Sequence, residues 1–172
     1  FTNSFNISHN TYNFLKDLFM YQSLNFRVTS NAITNSRVVD LDSGKTITKP
    51  INTNGNYSIS MWTGMGFKIK KIDTRFNFGP NFWFNRNADV FNNAVNYSRN
   101  YNLGFNMWVS KSKEKKYDFS ISDNFTYSNS KNSLSNITNN YIVNTFSAYA
   151  TVYLMKSLSV SSDYELYAQQ KT

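Results

Sequence analysis

Period-two alternation of apolar and polar side chains governs this chain, and it constrains the fold more than any other feature. From Tyr57, one set of alternate positions reads Tyr57, Ile59, Met61, Thr63, Met65, Phe67 and Ile69. The interleaved set reads Ser58, Ser60, Trp62, Gly64, Gly66, Lys68 and Lys70. Successive side chains of a strand point to opposite faces, so this is a strand with one apolar and one polar face. The design returns at once, with Thr74, Phe76, Phe78, Pro80, Phe82 and Phe84 against Arg75, Asn77, Gly79, Asn81, Trp83 and Asn85. A third copy sets Tyr97, Tyr101, Leu103, Phe105, Met107 and Val109 against Ser98, Asn100, Asn102, Gly104, Asn106 and Trp108.

Weaker alternation extends the pattern. Met20, Leu24, Phe26 and Val28 mark a strand upstream, and Phe1, Phe5 and Ile7 fall on one more. Downstream, Phe119, Ile121 and Phe125 share a face, as do Phe146, Ala148, Ala150, Val152 and Leu154; a last strand covers Leu158–Tyr167. The expected fold is all-β: an antiparallel up-and-down meander of about seven to eight long strands, part of a transmembrane β-barrel. Each strand is roughly 10–14 residues long, whereas soluble strands run ~5–6 and a tilted spanning strand needs ~9–11.

Composition separates this pattern from a soluble β-sandwich. Charged residues make up 16% of the 172 residues and aromatic residues 17%; soluble domains carry about 25% charged residues. The polar face is built from Asn, Ser, Thr and Gly rather than the Lys and Glu of a water-exposed sheet. Mean hydropathy is −0.51, and no apolar run approaches the ~20 residues of a spanning helix. Alternation keeps the mean hydropathy of a membrane barrel low, so a barrel remains open where a helical membrane protein does not. There is no Cys, which excludes disulfides and thiolate metal sites.

The connections alternate as well. Lys70–Asp73, Lys111–Lys116 and Met155–Ser157 are short, while Asn31–Asn56, Arg86–Asn96 and Ser128–Asn140 are long and rich in Asn and Ser. Short periplasmic turns and long extracellular loops are the habit of outer-membrane barrels. The net charge of +8 gathers at the short ends, in Lys68, Lys70, Lys71, Lys111, Lys113, Lys115, Lys116 and Lys156. The aromatics lie in the strand bodies instead, so the basic residues read as solvated turns at a membrane interface, with no nucleic acid as partner. Tyr57, Phe84, Tyr97, Tyr117 and Tyr127 recur near strand ends on the apolar face, as an interfacial girdle does. Asp123 is a misfit on that face, implying either a bulge near Ser122-Asp123 or a position close to the interface.

No catalytic constellation is legible, and the chain is not expected to be an enzyme. His9 is the sole histidine, which leaves a turn or pore-lining role. Asp40, Asp42 and Gly44 form an incomplete calcium-loop pattern and read as a turn at a loop tip. Gly64 and Gly66 lack the third glycine and the helix of a dinucleotide site. Cofactors and metals are expected to be none. Candidate pore-lining or plug-contact residues are Trp62, Trp83, Trp108, Arg75, Asn77, Asn81, Asn102 and Asn106. The tryptophans lie near Gly64, Gly79 and Gly104 and are expected to pack over them, or to meet a plug or a sugar-like solute. Candidate extracellular-loop residues are Asp40, Asp42, Lys45, Arg86, Asp89 and Lys131.

One stretch carries a family resemblance. Asp40-Leu-Asp42-Ser-Gly44-Lys is followed by Lys49-Pro50-Ile-Asn52-Thr-Asn54-Gly55-Asn56, an entry of the form P-[VI]-N-x-N-G into a long alternating strand. Asn31-Ala-Ile33 precedes it, and Tyr153–Tyr164 looks like a late hairpin of the same kind. This resembles the TonB-dependent receptor-like outer membrane β-barrel family of Bacteroidetes-type bacteria. The resemblance implies a barrel of about 22 strands, filled by an N-terminal plug that carries a coupling motif. Residues 1–172 would then be a partial barrel domain, with the plug and the final strands absent. The implied function is that of a wall segment of a TonB-dependent receptor in the bacterial outer membrane, importing a large nutrient. Its partners would be outer-membrane lipid, the plug domain of the same full-length chain, and an energy-coupling inner-membrane complex. The alternative is a complete small barrel of about eight strands with a structural or adhesive role.

Overall fold

A computed structural model describes residues 1–135, 137–155 and 158–172. Among these residues the chain is all-β, with ten strands and no helix. In chain order they are β1 (Thr2–Asn13), β2 (Leu18–Thr29), β3 (Ala32–Val39), β4 (Thr46–Thr53), β5 (Asn56–Ile69), β6 (Thr74–Phe91), β7 (Ala94–Lys113), β8 (Tyr117–Asn132), β9 (Thr138–Met155) and β10 (Leu158–Lys171). Eight of them form one open antiparallel meander in the order β1-β2-β5-β6-β7-β8-β9-β10. The remaining hairpin, β3–β4, leaves the meander and touches β6 through a short parallel ladder, Ser36 beside Val90 and Arg37 beside Phe91.

The register joins the alternating faces. Ile59 lies opposite Phe26 on one side and Phe84 on the other, and Phe84 opposite Tyr101. Met20, Met65, Phe78 and Met107 form another such row. All apolar sets therefore share one face, and Ser, Asn, Gly and the tryptophans share the other. The choice of Phe146, Ala148, Ala150, Val152 and Leu154 as one face of β9 agrees with their partners Phe119, Ile121 and Asp123 in β8.

The expected long loops are largely strand. The segment Asn31–Asn56 contains the β3–β4 hairpin, which is why there are ten strands rather than seven or eight. Arg86–Asn96 is the tip of a β6–β7 hairpin closed by Asn92 and Asn93, at φ 48° and 63°. Both central residues of a type I′ turn need positive φ, and Asn tolerates it well. Within Ser128–Asn140, β8 continues to Asn132 and β9 begins at Thr138. Their apolar residues are sparse or adjacent, as in Val38-Val39 and Val90-Phe91, among many Asn and Ser, which is why these segments read as loop. Lys156 and Ser157, expected in a short basic turn, lie outside the described residues.

Among the described residues, no second layer covers the apolar face. Among the described residues the one buried hydrophobic side chain is Ala88, while Phe105, Ile121, Phe125 and Leu166 stand exposed. The few buried polar residues are small, led by Ser36 in the middle of β3, where β3 meets β6. There Asn56 Oδ1 accepts the Ala88 N–H at 2.7 Å, and Asn92 donates its N–H to Arg37 O at 2.8 Å. These bonds satisfy backbone groups that the departing hairpin would otherwise leave open.

Asp123 lies on the apolar face in an uninterrupted register, opposite Met107 and Phe146 and well inside β8. Neither the expected bulge nor a strand-end position accounts for it. A diagonal neighbour does: Asn144 donates to its Oδ1 at 2.9 Å.

Candidate functional site

The polar face carries the candidate site, densest at the short-turn end. There β5 and β6 deliver Lys68 and Arg75 as directly opposed residues, and β7 places Trp108 beside Asn77 of β6. Two grooves flank this group. One, about 430 Å³, runs toward β8 and β9 and is lined by Arg75, Trp108, Ser110, Asp118 and Tyr149. The other, about 440 Å³, runs toward β1 and is lined by Tyr12, Asp17, Phe19, Asn77 and Trp108. Lys68 and Arg75 line both.

Charge here is mixed. Lys68 forms an ion pair with Asp73 in the β5–β6 turn. The Lys68 hydrogen bond, reinforced by its charge and then by Lys111 and Lys113, holds the Asp73 carboxyl below its usual 3.8. Tyr12 donates to Asp17 at 3.2 Å and Tyr153 to Asp118 at 2.9 Å. Arg75 is exposed and has no carboxylate within ion-pairing distance among the described residues. Exposed aromatic rings beside a free guanidinium and a row of hydroxyls form a wet surface. Such a surface holds polar solutes or peptide segments by stacking and hydrogen bonding.

The eight residues expected on this face do share it. Trp62 lies opposite Asn81 and Trp83 opposite Asn102. Asn81 donates to Asn106 Oδ1 at 3.2 Å. Trp62 and Trp83 sit toward the long-hairpin end, away from the two grooves, so only Arg75, Asn77 and Trp108 of the set meet there.

The glycines are covered differently from expectation. A Cβ on Gly64 would strike the Tyr21 ring, and one on Gly66 the Phe19 ring. These aromatics of β2 are the direct cross-strand partners of the two glycines. At Gly104 the nearest group is the Asn81 amide, and at Gly79 it is the Thr63 backbone carbonyl. The tryptophans are therefore not the lids of Gly64, Gly79 and Gly104, and their rings remain available on the polar face. Phe19 and Tyr21 were missed because β2 aligns with β5 only once the register is known.

Gly79 has its own cause. Pro80 brings no N–H to a central ladder, and the ladder lapses at Thr63-Gly64 against Gly79-Pro80. Thr63 Oγ1 donates to Pro80 O at 2.9 Å. Gly79 thus lets two backbones approach where the ladder lapses.

The expected loop residues divide. Asp40, Asp42 and Lys45 lie at the β3–β4 tip, where Asp40 accepts Ser43 Oγ at 2.7 Å and the Asp42 N–H at 3.0 Å. These bonds hold the Asp40 carboxyl below its usual value, the Ser43 hydroxyl being the largest cause. This is a self-closed turn rather than a calcium loop. Arg86, Asp89 and Lys131 are not in loops but within β6 and β8. Arg86 stacks on Tyr97, its guanidinium carbon 3.9 Å from the ring centre. His9 sits in β1 on the apolar side, opposite Gln22, rather than in a turn or on the polar face. Set against known proteins, the chain matches no family model, no curated protein and no solved structure.

Proposed function

We propose that this sheet is a segment of an outer-membrane β-barrel wall, its apolar face on lipid and its polar face on the lumen, within a TonB-dependent type receptor that imports a large nutrient. The observation that carries the membrane reading is the uncovered apolar face, with Ala88 as the one buried hydrophobic among the described residues. A water-soluble chain of this size would bury a core. The band has a spanning length: in β6 it runs from Phe76 to Phe84, nine residues between Thr74 and Arg86. A tilted spanning strand needs ~9–11. Short turns at one end and projecting hairpins at the other supply a periplasmic and an external side. The receptor reading rests further on the family resemblance around Pro50–Asn56. The wet aromatic face, with Trp108 between two grooves, is suited to contact a plug or a passing solute.

Fluorescence in reconstituted vesicles tests the membrane reading. Trp62, Trp83 and Trp108 on the polar face should resist brominated lipid and yield to aqueous acrylamide. A tryptophan placed by Phe82→Trp, with those three replaced by Phe, should respond to brominated lipid. Lipid quenching of the native three alone would invert the sheet, and quenching of neither set would remove it from the membrane.

The eight-stranded main path favours a second reading, a small closed barrel with a structural or adhesive role. Cysteines scanned along β1 and β10 discriminate the two. Disulfides between these edges would select the small barrel, and their absence the larger wall.

A further inference from the structure

Three cations stand in one row across the sheet. Arg86 of β6 is directly opposite Arg99 of β7, and Arg99 is directly opposite Lys131 of β8. All three belong to the apolar face, because Phe84 and Tyr101 precede the Arg86–Arg99 pair on the same side. Like charges directly opposite one another destabilise a sheet, so the row calls for an anion. None is supplied from within. Asp123, the acid on this face, lies eight positions from Lys131 in the middle of the band. No ion pair involves any of the three cations among the described residues.

The surroundings set the depth of the row. An aromatic belt begins in this row, where Tyr57 is opposite Arg86, and continues inward through Phe84, Tyr101 and Tyr127, with Tyr57–Phe84 and Tyr101–Tyr127 ring centres 5.5 and 6.0 Å apart. Aromatic belts mark the headgroup level of a bilayer. Arg86 lies over Tyr97 at 3.9 Å and Tyr57 at 5.8 Å, and its Nε is buried without a partner. Gly55, at φ 88°, lets the β4–β5 turn close against this guanidinium. At the opposite end of the same face, Lys111 and Lys113 have the Asp73 carboxylate nearby. The Arg86 row has no such carboxylate beside it among the described residues.

We propose that Arg86, Arg99 and Lys131 form a site for the phosphate of an anionic lipid headgroup in the leaflet on the long-hairpin side. Guanidinium pairs suit phosphate because each presents two parallel N–H donors. The inference rests on the membrane reading above and adds which lipid the wall selects on that side. A free phosphate ion shares the same chemistry.

The test uses the chain in detergent micelles, with retained lipid read by native mass spectrometry. The probes are phosphatidic acid, phosphatidylcholine and inorganic phosphate. The unmodified chain should retain phosphatidic acid over phosphatidylcholine, and Arg86→Gln/Arg99→Gln/Lys131→Gln should weaken that by about tenfold. Arg99→Gln/Lys131→Gln, which keeps the Arg86–Tyr97 stack, should weaken it by at least about threefold. Lys111→Gln/Lys113→Gln should leave it unchanged. Equal retention in the unmodified and triple variants overturns the site. Displacement of phosphatidic acid by inorganic phosphate at equal concentration overturns the lipid assignment and leaves a free-phosphate site. A chain that fails to insert even into phosphatidylcholine vesicles overturns the membrane reading and this site with it. Insertion without headgroup preference overturns the site alone.

Discussion

The side-chain amide of Asn144 donates a 2.9 Å hydrogen bond to Asp123 Oδ1 across β8 and β9, on the face otherwise lined by Met107, Phe125 and Phe146. A carboxylate at this depth is costly in lipid, and one amide offsets part of that cost. Replacing a buried polar pair by apolar side chains of similar size often stabilises. Asp123→Leu/Asn144→Leu should therefore raise the unfolding free energy of the reconstituted chain by about 1–3 kcal/mol. Asn144→Leu alone should lower it by about 1 kcal/mol, because Asp123 loses its donor. Guanidinium unfolding in vesicles reads both. On a water-facing surface the double substitution would give no gain and would promote aggregation.

The approach of β5 to β6 makes a second discrimination. At Gly79 a Cβ would run into the Thr63 carbonyl, which is backbone, whereas at Gly104 it would meet the end of the Asn81 side chain. Backbone cannot yield without disturbing the ladder; an amide can rotate. Gly79→Ala should cost about 1–3 kcal/mol and Gly104→Ala well under 1 kcal/mol. Parallel denaturant titrations compare them, and equal losses would mean that the Gly79 approach is not a constraint.

Legibility in the sequence followed the apolar pattern. Wherever Phe, Met or Ile marked alternate positions, as from Tyr57 to Val109, strand and face agree with the sequence reading. Where apolar residues sit side by side rather than at alternate positions, as at Ala32-Ile33 and Val38-Val39 in β3 or Val90-Phe91 in β6, period two is broken and the strands read as loops. Arg86 was misplaced for that reason. The polar-face residues were assigned to the right side, but their grouping around Trp108 depends on register between strands distant in sequence. Phe19 and Tyr149 reach that neighbourhood only through pairing.

The Lys68–Asp73 ion pair makes the β5–β6 turn sensitive to acid. The Asp73 carboxyl is held below its usual 3.8, first by the Lys68 hydrogen bond and then by its charge. A depressed folded value means that the contribution to stability is complete above 3.8 and is lost as pH falls through the folded value. A carboxyl-resolved NMR titration in micelles should place the Asp73 midpoint below 3.8. Lys68→Met should move it back up; an unchanged midpoint in that variant would separate Asp73 from Lys68.

Asn92 links two hairpins, and its loss should detach one from the other. It occupies the first central position of the β6–β7 turn at φ 48°. Its N–H donates to Arg37 O at 2.8 Å, and its Oδ1 accepts the Val39 N–H at 2.9 Å. One residue thus closes the turn and pins the end of β3 beside β6. Asn92→Gly keeps the turn geometry but removes the side-chain acceptor. Asn92→Val loses both, because a β-branched residue resists positive φ. The expected order of stability is Asn, then Gly, then Val, with about 1 kcal/mol lost at the first step and about 1–2 more at the second. Protease cleavage in the Asp40–Lys45 tip should quicken in the same order, since a freed β3–β4 hairpin exposes its tip for longer. Cleavage equally fast in all three would show that the hairpin is held by its ladder at Ser36–Val90 without help from Asn92.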